Sequence, residues 1–213
     1  RARARPGHAV KPSAGETLTV PLYYDFASSL CYVAHRVMGE LAPDLAGLGL
    51  AFDWRAIDLA ALRGLRRGAP LRPADRERIV VVAGDLGVRL RIPPHWLDSR
   101  CALAAAAVAP EARAATWRER VWTAIYEEGR PPESEGAVTA LARGLGVALD
   151  AAAFAAGAEA VARDTETARA AEVTGVPTFQ LGRWPFGGIQ QRDTMLRVLE
   201  RYARKAREGA LAS

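Results

Sequence analysis

The sequence predicts an α/β fold in which a large all-helical segment interrupts a sheet-forming body. Residues 17–58 show strand, helix and strand patterns in turn, and residues 173–208 show two short strand patterns and a final helix. Residues 59–172, between them, carry helical periodicity throughout. A strand, a helix and a strand of these lengths form a parallel crossover unit, which is right-handed in nearly all proteins.

The first unit begins with a strand at residues 17–24, where apolar and polar side chains alternate before two final tyrosines. Ser28 and Ser29 are both good helix N-caps, and apolar residues recur after them at helical spacing until Pro43. That spacing predicts a helix with one buried face. Residues 48–56 alternate strictly, which predicts the second strand.

Prolines and glycines divide the middle segment into helices. Proline pairs stand at 93–94 and 131–132, and a further break falls near Gly146. Periodicity predicts helices at residues 76–86, at residues 99–109, in a segment with Trp117, Val121, Ile125 and Tyr126, and after Ser134 and Asp150. We expect no strand there, and therefore a separate helical layer.

The last part of the chain changes character at residue 178. Residues 178–181 and 184–186 favour two short strands, with a turn at Gly182-Arg183 and a break at Gly187-Gly188. Apolar residues at helical spacing from Met195 to Tyr202 predict the final helix. Arginines crowd its carboxyl half, where positive charge complements the helix dipole.

Charge and composition limit the function classes. The chain has 213 residues, enough for a sizeable core, and a formal net charge of +5. Four positive charges precede the first acid, Glu16, so the rest of the chain carries a net charge of only +1. We therefore expect a flexible basic arm at residues 1–16, and no nucleic-acid partner, because such a partner needs a basic patch on the folded surface.

No signal or membrane segment is evident. The apolar run that a secretory signal requires does not follow the basic residues, and no uninterrupted apolar run reaches the roughly eighteen residues of a spanning helix. Two cysteines, Cys31 and Cys101, are too few for a disulfide framework or a structural metal site. The sequence therefore predicts a cytoplasmic protein with no metal and no membrane partner.

Two motifs carry a family resemblance. Asp25-Phe26-Ala27-Ser28-Ser29-Leu30-Cys31-Tyr32 follows the first strand, and Thr174-Gly175-Val176-Pro177-Thr178-Phe179 leads into the third. Asp98-Ser99-Arg100 and residues 187–193 add further matches. The chain thereby resembles the DsbA-like thioredoxin-fold family, and within it the branch of 2-hydroxychromene-2-carboxylate isomerases and kappa-class glutathione transferases.

The resemblance implies a thioredoxin-like fold with a large all-α insertion between its βαβ and ββα halves. The thioredoxin-like domain would then comprise residues 17–58 and 173–208, and the helical insertion domain residues 59–172. The related enzymes are commonly homodimers, so the resemblance also implies a homodimer.

Ser28 is the first candidate catalytic residue. Redox members of the family carry Cys-X-X-Cys here, whereas the isomerase and kappa transferase branch carries serine first, as this chain does at Ser28. The amino end of a helix exposes unpaired N–H groups and a partial positive charge, which stabilise an anion. We therefore expect Ser28 to donate a hydrogen bond to the thiolate of glutathione or another low-molecular-weight thiol. The alternative is a plain N-cap. With no activating base in view, Ser28 is not expected to act as a nucleophile.

Cys31 is the second candidate catalytic residue and stands at the place of the resolving cysteine. It could be a small buried hydrophobe, or a monothiol that forms a mixed disulfide. Cys101 lies in an Ala-rich helix and is expected to serve packing, although a disulfide between the two cysteines depends on distances that sequence does not give. His35 could perturb Cys31 from the same helix face or serve packing alone.

The second motif resembles the cis-proline loop of thioredoxin folds. A cis bond before Pro177 would leave the backbone groups of Val176 free to pair with an extended thiol peptide such as glutathione. Ser29, Val176, Pro177, Gln190 and Gln191 are therefore the expected thiol-binding residues. A related glutathione transferase places an acidic and a hydroxyl residue where the two glutamines stand, so this chain departs from it there.

Three functions remain open. The first is a thiol-dependent isomerase or transferase acting on an electrophilic, aromatic-type small-molecule substrate. The second is a disulfide oxidoreductase acting through Cys31 alone, and the third is a non-catalytic module that binds a peptide or partner chain. Four aromatic residues of the insertion could line an apolar substrate pocket or form core: Trp96, Trp117, Trp122 and Tyr126.

Overall fold

The computed structural model describes residues 17–209, so the arm predicted at residues 1–16 lies outside the described part. Its strands are β1 (Leu18–Tyr24), β2 (Leu50–Ala56), β3 (Thr178–Leu181) and β4 (Trp184–Gly187). They form one sheet in the order β2-β1-β3-β4. β1 and β2 are parallel, whereas β3 is antiparallel to both β1 and β4. The predicted α/β fold is confirmed.

Helices account for most of the remaining described residues. They are α1 (Ser29–Glu40), α2 (Ala42–Gly47), α3 (Leu59–Arg63), α4 (Pro73–Asp85), α5 (Arg100–Val108), α6 (Glu111–Trp122), α7 (Glu135–Arg143), α8 (Ala151–Ala170) and α9 (Arg192–Glu208). A π-helical turn, Thr123–Glu127, continues α6. None of the helices within residues 17–209 has both the length and the apolar character needed to cross a bilayer.

The connection between β1 and β2 differs in detail from the prediction. The sequence predicts one helix that ends at Pro43, but α1 ends at Glu40 and a short second helix, α2, follows. Pro43 lies in the first turn of α2, where a backbone N–H has no partner within the helix, so the missing N–H of proline costs nothing there. The same proline therefore ends one helix and starts the next.

The sequence predicted a separate helical layer, but the inserted helices do not form a wholly separate one. One hydrophobic cluster joins Tyr24 and Phe26, from the end of β1 and the loop after it, to Trp117 and Trp122 of α6. A second cluster includes the buried sides of β1, α1 and α9, and α4 contributes Ala83 to it. The insertion therefore shares both cores with the sheet, and its helices fix the position of the loop after β1.

α5 and α8 approach each other very closely. Gly157 of α8 lies against Ala104 of α5, and a Cβ atom built on Gly157 would lie only 2.1 Å from the Ala104 carbonyl oxygen. Only a residue without a side chain fits this crossing, because interiors are close-packed and backbone cannot give way as a flexible side chain can. The contact fixes the long helix α8, which leads back to the sheet.

Candidate active site

A cleft of about 620 Å³ lies where the amino end of α1 meets the insertion. Three parts of the chain, together with Trp96, form its walls. The first is residues 27–30 at the start of α1, and the second is the arginine-rich stretch from Leu59 to Ile79. The third comprises residues 174–178 with the pair Gly187 and Gly188. The two sequence motifs therefore face each other across one cavity.

Ser28 lines the cleft at the N-cap position of α1. Its hydroxyl makes no capping hydrogen bond to the helix, so the plain N-cap interpretation does not describe its side chain. The neighbouring Ser29 and Leu30 also line the cleft, and neither donates its backbone N–H to another residue in the described part of the chain. The first turn contains no acidic side chain, so the positive end of the helix dipole is not neutralised there.

Cys31 does not line the cleft, and its side chain is completely buried. Burial raises the pKa of its thiol to about 12, and a hydrogen bond with Ser28 lowers that pKa only in part. A thiol with this pKa contains almost no thiolate at neutral pH, and the thiolate is the reactive form. The expectation that Cys31 attacks as a monothiol is therefore corrected: in this geometry it is a buried packing residue.

The loop opposite Ser28 contains a cis peptide bond between Val176 and Pro177. Gly188 N–H donates to the Pro177 carbonyl at 2.7 Å, and the Thr178 hydroxyl donates to the Gly175 carbonyl, also at 2.7 Å. Neither backbone group of Val176 pairs with another described residue. The loop is thus held on both sides while Val176 presents a free N–H and a free carbonyl beside the cleft.

Four arginines make the cleft basic, namely Arg63, Arg66, Arg72 and Arg78. Asp75 is the one acidic residue that lines it, and Arg72 binds both oxygens of Asp75 at 2.7 and 2.9 Å. The other three arginines form no ion pair with any residue in the range 17–209. The cleft therefore carries an excess of three positive charges, which attracts an anion.

Buried hydrogen bonds hold the loop between β1 and α1 from below. The Tyr126 hydroxyl, on the π-helical turn, donates to the Phe26 carbonyl at 2.8 Å. The Asp25 carboxylate accepts from the Ser99 hydroxyl at 2.6 Å, and Asp25 is only 1 % exposed. Turns of π-helix are frequent at functional sites. This loop is the part of the site that the insertion supports most directly.

Residues 19–200 match the protein-family model described as the DSBA-like thioredoxin domain. The chain belongs to this family. Within it, a 2-hydroxychromene-2-carboxylate isomerase of Pseudomonas putida is 28% identical to this DSBA-like chain over 179 residues. The match covers 78% of this chain and 86% of the isomerase.

Solved structures show the same relationship. A 2-hydroxychromene-2-carboxylate isomerase is 26% identical, with a TM-score of 0.66, and the match covers 92% of this DSBA-like chain and 100% of the isomerase. The cytosolic disulfide reductase DsbM of Pseudomonas aeruginosa, solved with GSH, is 23% identical. Its TM-score is 0.61, and the match covers 88% of this chain and 100% of DsbM. The likeness to DsbM shows the fold alone.

The two glutamines expected to bind a thiol lie outside the cleft of this DSBA-like chain. Gln191 is the N-cap residue of α9, and its side-chain amide donates to the Asp85 carbonyl at 2.9 Å, which joins α9 to the end of α4. Gln190 is exposed. Only the preceding Gly187 and Gly188 reach the cleft. The expectation for Gln190 and Gln191 is corrected, because the turn before α9 directs them elsewhere.

The aromatic residues separate into two groups. Trp96 lines the cleft, whereas Trp117, Trp122 and Tyr126 are completely buried core. The His35 ring lies against Trp122, with ring centroids 4.5 Å apart and the ring planes tilted by 31°, and it hydrogen-bonds to Glu119. His35 therefore serves packing. Within residues 17–209, no three side chains of the metal-ligating types converge on one point.

Two parts of the site were missed from the sequence. Six arginines lie between residues 63 and 78, and this density was the available signal for a basic wall. The second part is Asp25 of the first motif, and its available signal was an acid directly after a buried strand.

Proposed function

We propose that this DSBA-like protein is a thiol-dependent isomerase or transferase that acts on an anionic, electrophilic, aromatic-type substrate. One observation carries the proposal: the hydroxyl-bearing, uncapped amino end of α1 faces the cis Val176–Pro177 loop across a basic cleft. Glutathione or another low-molecular-weight thiol is the partner that this arrangement fits.

The buried Cys31 thiol stays protonated and can donate to the Ser28 oxygen, which leaves the Ser28 hydroxyl to donate its one proton to the sulfur atom of the bound thiol at the amino end of α1. The helix dipole and the free N–H groups of Ser29 and Leu30 favour the ionised form of a thiol at this position. When bound, the thiol supplies the sulfur nucleophile that the chain's own cleft lacks. Ser28 itself is not the nucleophile, because no histidine lines the cleft and its one carboxylate, Asp75, is bound by Arg72.

Val176 positions the thiol peptide. Its free N–H and carbonyl can pair with the backbone of an extended peptide, in the way that a strand edge does. Ser29 and Pro177 line the same part of the cleft and restrict the space around the sulfur. Gly188 already holds the Pro177 carbonyl, so this loop has its own support independent of the thiol peptide.

The arginines and the apolar residues of the opposite wall support the choice of substrate. Arg63, Arg66 and Arg78 can bind carboxylates of the thiol peptide or of the substrate, because a guanidinium group binds a carboxylate through two parallel hydrogen bonds. Trp96 and Ile79 offer apolar surface for a ring. The named substrate of the Pseudomonas putida relative is itself a carboxylate.

Calorimetry with reduced glutathione tests thiol binding, and absorbance assays with 2-hydroxychromene-2-carboxylate test turnover. We expect saturable binding by the wild type at up to millimolar glutathione. Ser28→Ala should weaken binding by about tenfold, the effect of a lost hydrogen bond to a charged group. Arg63→Ala should weaken it by several-fold and reduce its dependence on salt.

Arg163→Ala is the matched control, because Arg163 is exposed on α8, pairs with Glu159 and does not line the cleft. Its affinity should equal that of the wild type. The absence of glutathione binding by the wild type, or equal affinities in Ser28→Ala and the wild type, would contradict the proposed function.

A further inference from the structure

The Asp25 carboxylate joins three segments that are far apart in the sequence. It accepts hydrogen bonds from the Ala27 backbone N–H and the Leu59 backbone N–H, each at 2.8 Å, and from the Ser99 hydroxyl at 2.6 Å. Its own backbone carbonyl accepts from Ser28 N–H at 3.1 Å. One buried residue thus holds the loop before α1, the start of α3 and the head of α5.

Two of the segments that Asp25 holds are walls of the cleft. Ala27 and Leu59 both line it, on the thioredoxin side and on the insertion side. Ser99 stands at the N-cap position of α5, yet its hydroxyl makes no capping bond to α5 and binds Asp25 instead. The carboxylate therefore connects the loop after β1 to the insertion beside the cleft.

We propose that Asp25 is a positioning residue of the cleft, which sets the distance and orientation between Ser28 and the insertion wall through its hydrogen bonds to Ala27, Leu59 and Ser99. Asp25 is buried and does not line the cleft, so it acts through the residues that do. Its effect on ligand affinity rests on the proposed function, but its effect on the loop does not.

The geometry distinguishes this role from ordinary buried polar packing. No arginine or lysine in the described range pairs with Asp25, so a carboxylate is kept without a counter-ion in a fully buried place. Burying an ionised carboxylate is unfavourable unless hydrogen bonds compensate for lost water. All three compensating donors come from the segments that form or support the cleft.

Other titratable groups surround Asp25, whose own carboxyl titrates near pH 6. Burial raises its pKa to about 6, although its three hydrogen bonds lower it. Cys31 on α1, Tyr24 on β1 and Tyr126 on the π-helical turn all feel its charge, and burial raises the pKa of each well above its ordinary value, that of Cys31 to about 12. Asp58, at the cap of α3, also faces it and is paired with Arg67.

The three hydrogen bonds that the Asp25 carboxylate accepts from Ala27, Leu59 and Ser99 form a clamp. Nuclear magnetic resonance tests this clamp without any ligand. The backbone amide shifts of Ala27 and Leu59 should both titrate with one midpoint near pH 6 in the wild type, because both amides donate to the same carboxylate. Asp25→Asn should abolish this titration, and Ser99→Ala should move the midpoint upward, since the Ser99 hydrogen bond lowers the pKa of Asp25. Amides that do not titrate together would overturn the clamp.

Glutathione affinity then tests the consequence for the site. Asp25→Asn places an amide N–H₂ group against one of the three donors, so it breaks part of the clamp, and we expect affinity to fall about tenfold at neutral pH. Ser99→Ala keeps the carboxylate and should lose less, which provides a second variant if Asp25→Asn folds poorly. Asp150→Asn is the control, because Asp150 caps α8 outside the cleft and asparagine caps equally well.

The outcomes separate the two proposals. If the wild type binds no glutathione, the proposed function fails, while the amide titration still decides the clamp. If the wild type binds glutathione and Asp25→Asn binds it equally well with an unchanged pH profile, the positioning role is overturned and the proposed function stands.

Discussion

The side chain of Ser28 lies beside the buried thiol of Cys31, and its hydrogen bond lowers the pKa of that thiol without offsetting the burial that raises it. The two residues thus keep the mutual position of a dithiol pair, with a hydroxyl in place of the exposed sulfur. The first residue borders the cleft and the second lies beneath it. This arrangement can bind a sulfur anion from outside but cannot form a disulfide of its own.

Ser28→Cys should therefore give the protein thiol–disulfide chemistry. The new thiol would lie at the amino end of α1, where the helix dipole lowers its pKa below about 8.5, and Cys31 would be adjacent as the resolving thiol. We expect a disulfide to form with Cys31 and insulin to be reduced in the presence of excess dithiol. The wild type should show no such activity.

The double variant Ser28→Cys with Cys31→Ala is the control for this prediction. It should form a stable mixed disulfide with oxidised glutathione, visible by mass spectrometry as one added glutathione, because no resolving thiol is present. Failure of both variants to react with oxidised glutathione would mean that the residue at position 28 is not reachable from the cleft.

The two cysteines should differ in reactivity. Cys31 is completely buried, whereas Cys101 is partly exposed, and burial raises the pKa of both thiols. Iodoacetamide at mildly alkaline pH should modify Cys101 slowly and leave Cys31 untouched until denaturant is added. Peptide mass spectrometry measures each site separately. Equal modification of the two cysteines in the native protein would show that Cys31 is accessible after all.

Gly157→Ala should destabilise the protein by roughly 1–3 kcal/mol or more, because the added methyl group meets the backbone of α5. Gly84→Ala is the matched control: Gly84 lies within α4, and a Cβ there meets nothing within 4 Å. That substitution should stabilise the protein by about 0.5–1 kcal/mol, the helix-propensity difference. Urea unfolding should show changes of opposite sign in the free energy of unfolding of the two variants. A Gly157→Ala variant as stable as the wild type would mean that α5 and α8 separate readily.

Asp25 should make the free energy of unfolding fall as pH rises. Burial raises its pKa from the ordinary value of 3.8 to about 6, so between these values the folded protein binds more protons here than the unfolded chain. The contribution is fully present below about pH 4 and is lost as pH rises through about 6, and it amounts to about 3 kcal/mol. Urea unfolding from pH 4 to 7 measures this slope.

Asp25→Asn removes the titrating group and should remove this part of the slope. His35 acts in the opposite direction, because burial lowers its pKa and its protonation therefore destabilises the fold as pH falls. The difference between wild type and Asp25→Asn isolates Asp25, since His35 is common to both. Parallel stability profiles for the two proteins would contradict the prediction.

The sequence by itself determined the order of the four strands and of the longer helices, and the presence of the two motifs, although it did not show the division between α1 and α2. The strand at residues 178–181, for example, follows from local residue types alone and is found unchanged. Ser28 at the start of a helix and Pro177 before a strand follow for the same reason. Such features depend on side chains a few residues apart, so the pattern of the chain suffices to place them.

Only the tertiary structure decided which of these residues meet the cleft. Cys31 and Gln191 stand in the motifs, yet one is buried and the other is turned toward α4. Asp25 acquires its role from partners 34 and 74 residues away along the chain. Burial, pKa and hydrogen bonding of this kind arise from contacts between segments distant in sequence, and no local pattern records which segments those are.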